Sequence, residues 1–216
     1  MGNQERLEEN RRDLVVIGAS AGGVEALRRV VAALPADLPA AVCVVLHVSA
    51  STPSALAHIL ERAGSLPCRS AQDGDPLVHG EILVAPPDRH LIIEADHVRL
   101  TATAPENNHR PSVDALFRSA GETARERVTG AVRSGMRDDG TAGLAVIKAN
   151  GGLALAQEPQ DALHPGMPSS AIDHVAVDAV LRCEELGSAI TEAARGHPPT
   201  WRAPRALSVP EHEDVA

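Results

Sequence analysis

Aromatic side chains are almost missing from this sequence, which has one Phe, one Trp and no Tyr in 216 residues. That scarcity excludes a site built on rings stacked against nucleobases. It also leaves the core to Val, Leu, Ile and Ala, which suits a buried parallel sheet covered by helices. Cysteine is scarce too, with three residues at Cys43, Cys68 and Cys183. Their number is odd and no two have metal-ligand spacing, so they read as reduced, mostly buried thiols of a cytoplasmic protein. No stretch approaches the roughly 20 apolar residues that span a bilayer. The polar start MGNQERLEENRRD lacks the apolar core of a signal peptide. Basic charge is in deficit, 20 Lys and Arg against 29 Asp and Glu, for a net charge of -9. Free nucleic acid and anionic membrane surfaces are poor partners for such a chain.

What remains alternates strand and helix. Residues 1–12 read as a flexible charged arm, 13–196 as one catalytic domain, and 197–216, rich in Pro and charge, as a disordered tail. Leu14–Ile17 is a short apolar strand. Val24, Leu27, Val30, Val31 and Leu34 recur at helical spacing until Pro35 stops them. Ala41–Leu46 is a second strand, and Thr52-Pro53 opens a helix through about Arg62. Strands follow at Ile82–Ala85, His90–Glu94 and His97–Thr101, the last two joined as a hairpin by Ala95-Asp96. Ser112 is placed to cap a helix through Leu116 and Phe117. Val128–Val132, Leu153–Ala156 and Val177–Leu181 read as strands. Thr141–Asn150, Ser169–His174 and Glu184–Arg195 read as helices. The expected fold is α/β: a doubly wound, mostly parallel sheet with helices on both faces and a small antiparallel hairpin.

Three polar residues stand out by position. Ser20 follows the first strand, His47 follows the second, and Asp139 lies beyond Val128–Val132. Parallel strands would bring all three to one carboxyl edge, where open α/β sheets place their sites. Serine is a weak nucleophile at neutral pH. It needs an imidazole to take its proton and a carboxylate to fix the imidazole's tautomer. The turn Gly18-Ala19-Ser20-Ala21-Gly22 satisfies G-x-S-x-G, and the helix after it offers free N–H groups to an oxyanion. A glycine-rich strand-to-helix turn also binds nucleotide phosphates, although this one lacks the G-x-G-x-x-G spacing and a P-loop Lys. Asp138 and Asp139 also suit a plain N-cap role for the helix that follows. The turn alone leaves cradle and nucleophile open.

The segments IGASAGG (17–23), LPCRSAQDGDPLVHGEILVAPPDRHLII (66–93), HRPSVDALFRSA (109–120), SGMRDDGTAGL (134–144), GGLALAQEP (151–159) and PGMPSSAIDHVAVDAVL (165–181) resemble, in order, the catalytic domain of CheB-type chemotaxis methylesterases. The resemblance implies hydrolysis of glutamate γ-methyl esters on the cytoplasmic domains of chemoreceptors, releasing methanol, and for many members deamidation of receptor glutamines. It implies no cofactor and no metal. Carried over by motif, Ser20 is the nucleophile, His47 the general base and Asp139 the orienting carboxylate. The main chain at Ala21 and Met136 lies beside the oxyanion. Many members carry an N-terminal receiver domain. Here only a charged arm precedes the first strand, so the expectation is a stand-alone catalytic domain without receiver control.

Four positions depart from the family pattern. Ala21 stands where Thr is frequent, and VSAS follows His47 where many members have Met-Pro. Arg137 and Asp138 replace small neutral residues beside the triad acid; they read as a solvated pair, with Arg137 alternatively tuning the field at the site or binding an acidic receptor surface. Arg133 falls where a strand is usually apolar, and its guanidinium is expected at the strand end with a partner. Ala21, Arg137 and Asp138 motivate a competing reading, a catalytically weak or inactive scaffold that binds signalling proteins. A nucleotide-binding module is a third, and it requires saturable binding of NAD or ATP.

Overall fold

The computed structural model describes residues 11–20, 22–48, 54–197 and 200–201. Seven parallel strands form the central sheet, in the order β3-β4-β2-β1-β7-β8-β9. They are β1 (Leu14–Ala19), β2 (Ala41–Leu46), β3 (Cys68–Ser70), β4 (Ile82–Val84), β7 (Val128–Val132), β8 (Leu153–Gln157) and β9 (Ala179–Leu181). Strands β5 (His90–Glu94) and β6 (His97–Thr101) pair antiparallel as a separate hairpin. The α/β architecture and the hairpin are those expected from the sequence.

Two apolar clusters divide along the alternation of the strands. In β1, Val15, Ile17 and Ala19 face one cluster, which α1 (Gly23–Ala32), α2 (Leu56–Glu61) and α6 (Cys183–Ala194) close. Leu14 and Val16 face the other, covered by α3 (Val113–Ala124), α4 (Thr141–Ala149), α5 (Gly166–His174) and the hairpin. Every residue of β1 and β2 is buried, because a central parallel strand is covered on both faces. Phe117, the one phenylalanine, is fully buried under the α3 side of the sheet.

Local differences from the sequence reading have local causes. Strand β1 runs two residues further, through Ala19, because parallel partners in β2 continue to Leu46. Strand β3 was not expected: it has three residues, two of them Arg69 and Ser70, and sits at the sheet edge. Helix α5 starts at Gly166 rather than Ser169. Pro168 is tolerated there because first-turn residues need no intrahelical N–H bond. Helix α2 starts at Leu56, and the Thr52-Pro53 opening lies outside the described residues. Arg12, the last residue of the stretch read as an arm, donates from its side chain to the Glu126 and Gly151 carbonyls and from its backbone to Ala193. In the stretch read as a tail, Thr200 bonds Glu192 and Trp201 packs against the α1 side of the core. All three cysteines are free and buried. Among the described residues no helix is long and apolar enough to cross a membrane.

The strand order reverses at β1. The chain proceeds from β1 to β2 on one side and returns through β7 on the other. The carboxyl edge beside that reversal is the crevice where open α/β sheets hold ligands. Ser20, His47 and Asp139 follow β1, β2 and β7, so all three converge on it.

Candidate active site

Ser20 leaves β1 at the crevice. Its N–H donates to the Ser134 carbonyl at 2.8 Å, and its own carbonyl accepts the Gly23 N–H at 2.8 Å. This closes a tight turn into α1. Gly22 caps that helix at φ 74, a left-handed conformation that favours glycine, with the Leu163 side chain against it. The register Ala19↔Leu46 and the bond from His47 N–H to the Ala19 carbonyl, 3.2 Å, set Ser20 beside His47. Adjacent strands lie about 4.8 Å apart, and the side chains one step past paired residues share a face. Serine and histidine are therefore neighbours on the face that α3 covers.

Asp139 has no exposed surface, yet five donors converge on it. Oδ2 accepts His47 Nε2–H at 2.6 Å and Val113 N–H at 2.7 Å. Oδ1 accepts Ser112 Oγ–H at 2.9 Å, Asn107 Nδ2–H at 3.0 Å and Asp114 N–H at 3.1 Å. The Ser112 hydroxyl, expected to cap α3, makes no bond to that helix's backbone. Asp139 caps α3 instead, from another part of the chain, and the helix dipole favours its negative charge. Asp139 does not cap the helix that follows it in sequence. Gly140 at φ 99 stands at the N-cap of α4, and the Asp114 carboxylate accepts the Gly143 N–H at 2.6 Å. Each helix start is thus capped by an acid from beside the other.

The electrostatics follow from those partners. Burial by itself would push the Asp139 carboxyl up, but the His47 hydrogen bond and the Val113 and Asp114 N–H groups outweigh it and hold the pKa well below the carboxylate range. Asp114 goes the other way. Burial outweighs the Gly143 N–H, and the nearby Asp139 charge adds to it, raising its pKa to about 6. An ionised Asp139 is acceptor-only, so the proton in the 2.6 Å bond is on His47 Nε2. In the neutral ring Nδ1 then carries a bare lone pair. It is buried and has no hydrogen-bond partner among the described residues. The Ser20 hydroxyl likewise makes no hydrogen bond among the described residues. The two residues end neighbouring strands, and acceptor and hydroxyl are each unengaged among the described residues; catalytic bonds of this kind are often open before substrate arrives.

Sequence reasoning missed three neighbours. His109 stacks on His47 with ring centroids 3.6 Å apart and planes 7° from parallel. Asn107 donates to both Asp139 and Asp114. Asp114 itself is buried. One local signal pointed to this region: consecutive Asn residues favour a two-residue hairpin turn with positive φ.

Met136 sits at the rim, 68% exposed, and its N–H has no partner among the described residues. The neighbouring Gly135 N–H is already spent on the His164 carbonyl, and the Gly135 backbone lies against the Ser20 side chain. Ala21 lies outside the described residues. Arg137 and Asp138 are exposed and form no ion pair among the described residues. Arg133 differs from expectation. Its guanidinium is fully buried rather than at an open strand end. Nη2 donates to Cys183 Sγ at 2.7 Å, while Nε and Nη1 have no partner among the described residues. Residue 133 follows β7 on the face toward α1 and α6, so its side chain runs inward. Burial, more than the opposing pull of Cys183, lowers its pKa. Among the described residues no three His, Cys, Asp or Glu side chains are grouped to hold a metal ion.

Comparison with known proteins matches the chain to one family. Residues 15–190 match the CheB methylesterase family. A protein-glutamate methylesterase/protein-glutamine glutaminase of Anaeromyxobacter dehalogenans is 41% identical over 185 residues, covering 86% of this chain and 54% of that protein. The chain therefore spans about half the length of that relative. A putative protein of the same name from Leptospira interrogans is 35% identical over 175 residues, covering 81% of this chain and 91% of the relative. The crystal structure of the Thermotoga maritima CheB methylesterase catalytic domain superposes with a TM-score of 0.81 at 31% identity, covering 83% of this chain and 97% of that one. The chain belongs to the CheB methylesterase family.

Proposed function

We propose that the protein is a serine hydrolase that removes methyl esters from glutamate side chains of chemoreceptor cytoplasmic domains, yielding glutamate and methanol, and that it deamidates receptor glutamines at the same site. Ser20 is the nucleophile, His47 the general base and Asp139 the orienting carboxylate. The observation that carries this reading is the buried, unpartnered Nδ1 of His47, on a ring whose Nε2–H is fixed to Asp139.

The reaction follows from those atoms. Nδ1 takes the Ser20 proton as Oγ attacks the ester carbonyl. The oxyanion is held by the Met136 N–H at the rim, which has no partner among the described residues, and the family resemblance assigns the second donor to residue 21. The imidazolium is stabilised by Asp139, whose charge is fixed by two α3 amides, Ser112 and Asn107. Nδ1–H then gives its proton to the leaving methoxide, and methanol departs. Water attacks the acyl-Ser20 ester with Nδ1 again as base, and returns the free carboxylate and serine. In deamidation the leaving group is ammonia and the remaining steps are the same. Methanol release from a methylated receptor fragment, wild type beside Ser20→Ala, tests the proposal. Loss in the variant is expected, and undiminished release from it would overturn the assignment.

A further inference from the structure

Apart from the Asn107 bond to Asp139, the segment Glu106–His109 takes no part in that mechanism, yet it touches both members of the His47–Asp139 pair. Its backbone closes on itself: Glu106 N–H donates to the His109 carbonyl at 3.1 Å, and His109 N–H donates to the Glu106 carbonyl at 2.8 Å. Asn107 and Asn108 between them have φ 50 and φ 65. That is the pattern of a two-residue turn requiring positive φ at both centres, which Asn tolerates better than most residues. The turn is pinned from outside. Arg118 of α3 donates to both Glu106 carboxylate oxygens, at 2.8 and 3.0 Å. Arg110 donates to the Thr103 carbonyl at 2.8 Å and to Asp88 Oδ1 through Nε at 2.9 Å.

We propose that this turn is a positioning clamp for the catalytic pair: Asn107 fixes the Asp139 carboxylate, and His109 fixes the plane of the His47 ring. The proposal rests on the reading of Ser20 and His47 as nucleophile and base. Asn107 Nδ2 donates to Asp114 Oδ2 at 2.6 Å and to Asp139 Oδ1 at 3.0 Å. Both partners are carboxylate oxygens, so the amide nitrogen must face them. One side chain thereby supplies a shared donor between two buried acids that would otherwise repel. His109 covers one face of the His47 ring in near-parallel contact. Burial, and then the neighbouring His47, hold the His109 pKa below its ordinary value. It is therefore a mostly neutral plate near neutral pH. A hydrogen bond to Asp139 fixes one atom of the His47 ring but leaves rotation about that bond free. The stacked ring blocks that rotation, and so holds Nδ1 in the one orientation from which it serves the proposed mechanism.

Two readouts independent of receptor identity test the clamp. One is the rate at which a fluorophosphonate probe labels Ser20. The other is the downfield proton resonance of the His47–Asp139 hydrogen bond, with thermal unfolding measured alongside. Asn107→Gly keeps the turn's backbone and deletes the donor; His109→Ala deletes the plate. Each is expected to slow labelling about 10- to 100-fold and to shift or broaden the downfield resonance. His109→Phe restores a flat ring and is expected to recover most of the rate. Asn108→Gly, which leaves both contacts in place, is expected to label at the wild-type rate. Folded Asn107→Gly and His109→Ala variants that label like wild type and keep the resonance would overturn the proposal. A Phe variant no faster than the Ala variant would overturn the His109 half. Should Asn107→Gly not fold, the His109 pair decides. If wild-type Ser20 itself fails to label, the catalytic reading fails, and the resonance alone still tests the clamp.

Discussion

Replacing Asp139 by Asn changes one atom at the most heavily bonded point of the site, and the structure says which orientation the amide will choose. With its NH2 at the Oδ1 position it faces three donors, Ser112 Oγ–H, Asn107 Nδ2–H and Asp114 N–H. The serine hydroxyl can turn and accept, so two bonds are lost. With NH2 at the Oδ2 position it faces Val113 N–H and His47 Nε2. The imidazole can change tautomer and accept at Nε2, so only the Val113 bond is lost. The second orientation is favoured by about one bond. It also moves the histidine proton to Nδ1, the atom that accepts the Ser20 proton in the proposed mechanism. The expected cost is one charge-assisted bond, about 1.5–3 kcal/mol, or about 3–12 °C in Tm for a domain of this size. The expected loss in kcat is about 10⁴-fold, the size seen when a triad histidine is held in the wrong tautomer. Methanol release and thermal unfolding on the same preparations check both numbers. A folded Asp139→Asn variant within about tenfold of wild-type kcat would refute the proton placement argued for His47.

Other expectations follow from the same contacts. The Asp114 pKa is raised to about 6 in the folded state, against about 3.9 unfolded. Its contribution to stability is therefore fully present below the unfolded value and is lost as pH rises through the folded one. Asp139, depressed, contributes stability above about 3.9 that is lost as pH falls through its own lower pKa. Asp114→Asn should flatten the urea-stability profile between about pH 4 and 7, and a profile parallel to wild type would contradict this. A Cβ at Gly18 would lie 2.1 Å from Val113 Cγ1, at the residue whose N–H holds Asp139. Gly18→Ala should therefore cost about 1–3 kcal/mol and lower activity as well. Adding Val113→Ala should recover part of both, and no recovery would argue against that route. Arg133 buries a guanidinium with two unpaired nitrogens. Arg133→Met should leave stability unchanged or raise it by about 1–4 kcal/mol; a clear loss in urea unfolding would show that the Cys183 contact stabilises.

The sequence made the sheet's central strands legible because β1 and β2 are runs of apolar residues with nothing polar to interrupt them. Their parallel pairing follows from the helices between them, and once that pairing holds, Ser20 and His47 must be neighbours. Edge strand β3 was not legible, since three residues that include Arg69 and Ser70 carry no apolar pattern. The surroundings of Asp139 were hidden for a different reason. Ser112 looked like an ordinary cap and Asp139 like an acid that could cap the helix after it; only the packing of α3 against α4 lets Asp139 cap α3 and Asp114 cap α4. His109 was quoted within a motif, but stacking depends on a turn whose shape is set by the φ of Asn107 and Asn108. The inward course of Arg133 was likewise unreadable, because strand alternation predicts a face but not whether a counter-ion waits there.

The account turns on one proton. Nitrogen-15 correlation spectra of histidine-labelled protein near neutral pH would assign the His47 tautomer directly. The structure predicts a protonated Nε2 and a bare Nδ1, the atom to which the proposed mechanism passes the Ser20 proton. A neutral ring with its proton on Nδ1 would leave Ser20 without a base and contradict the central claim.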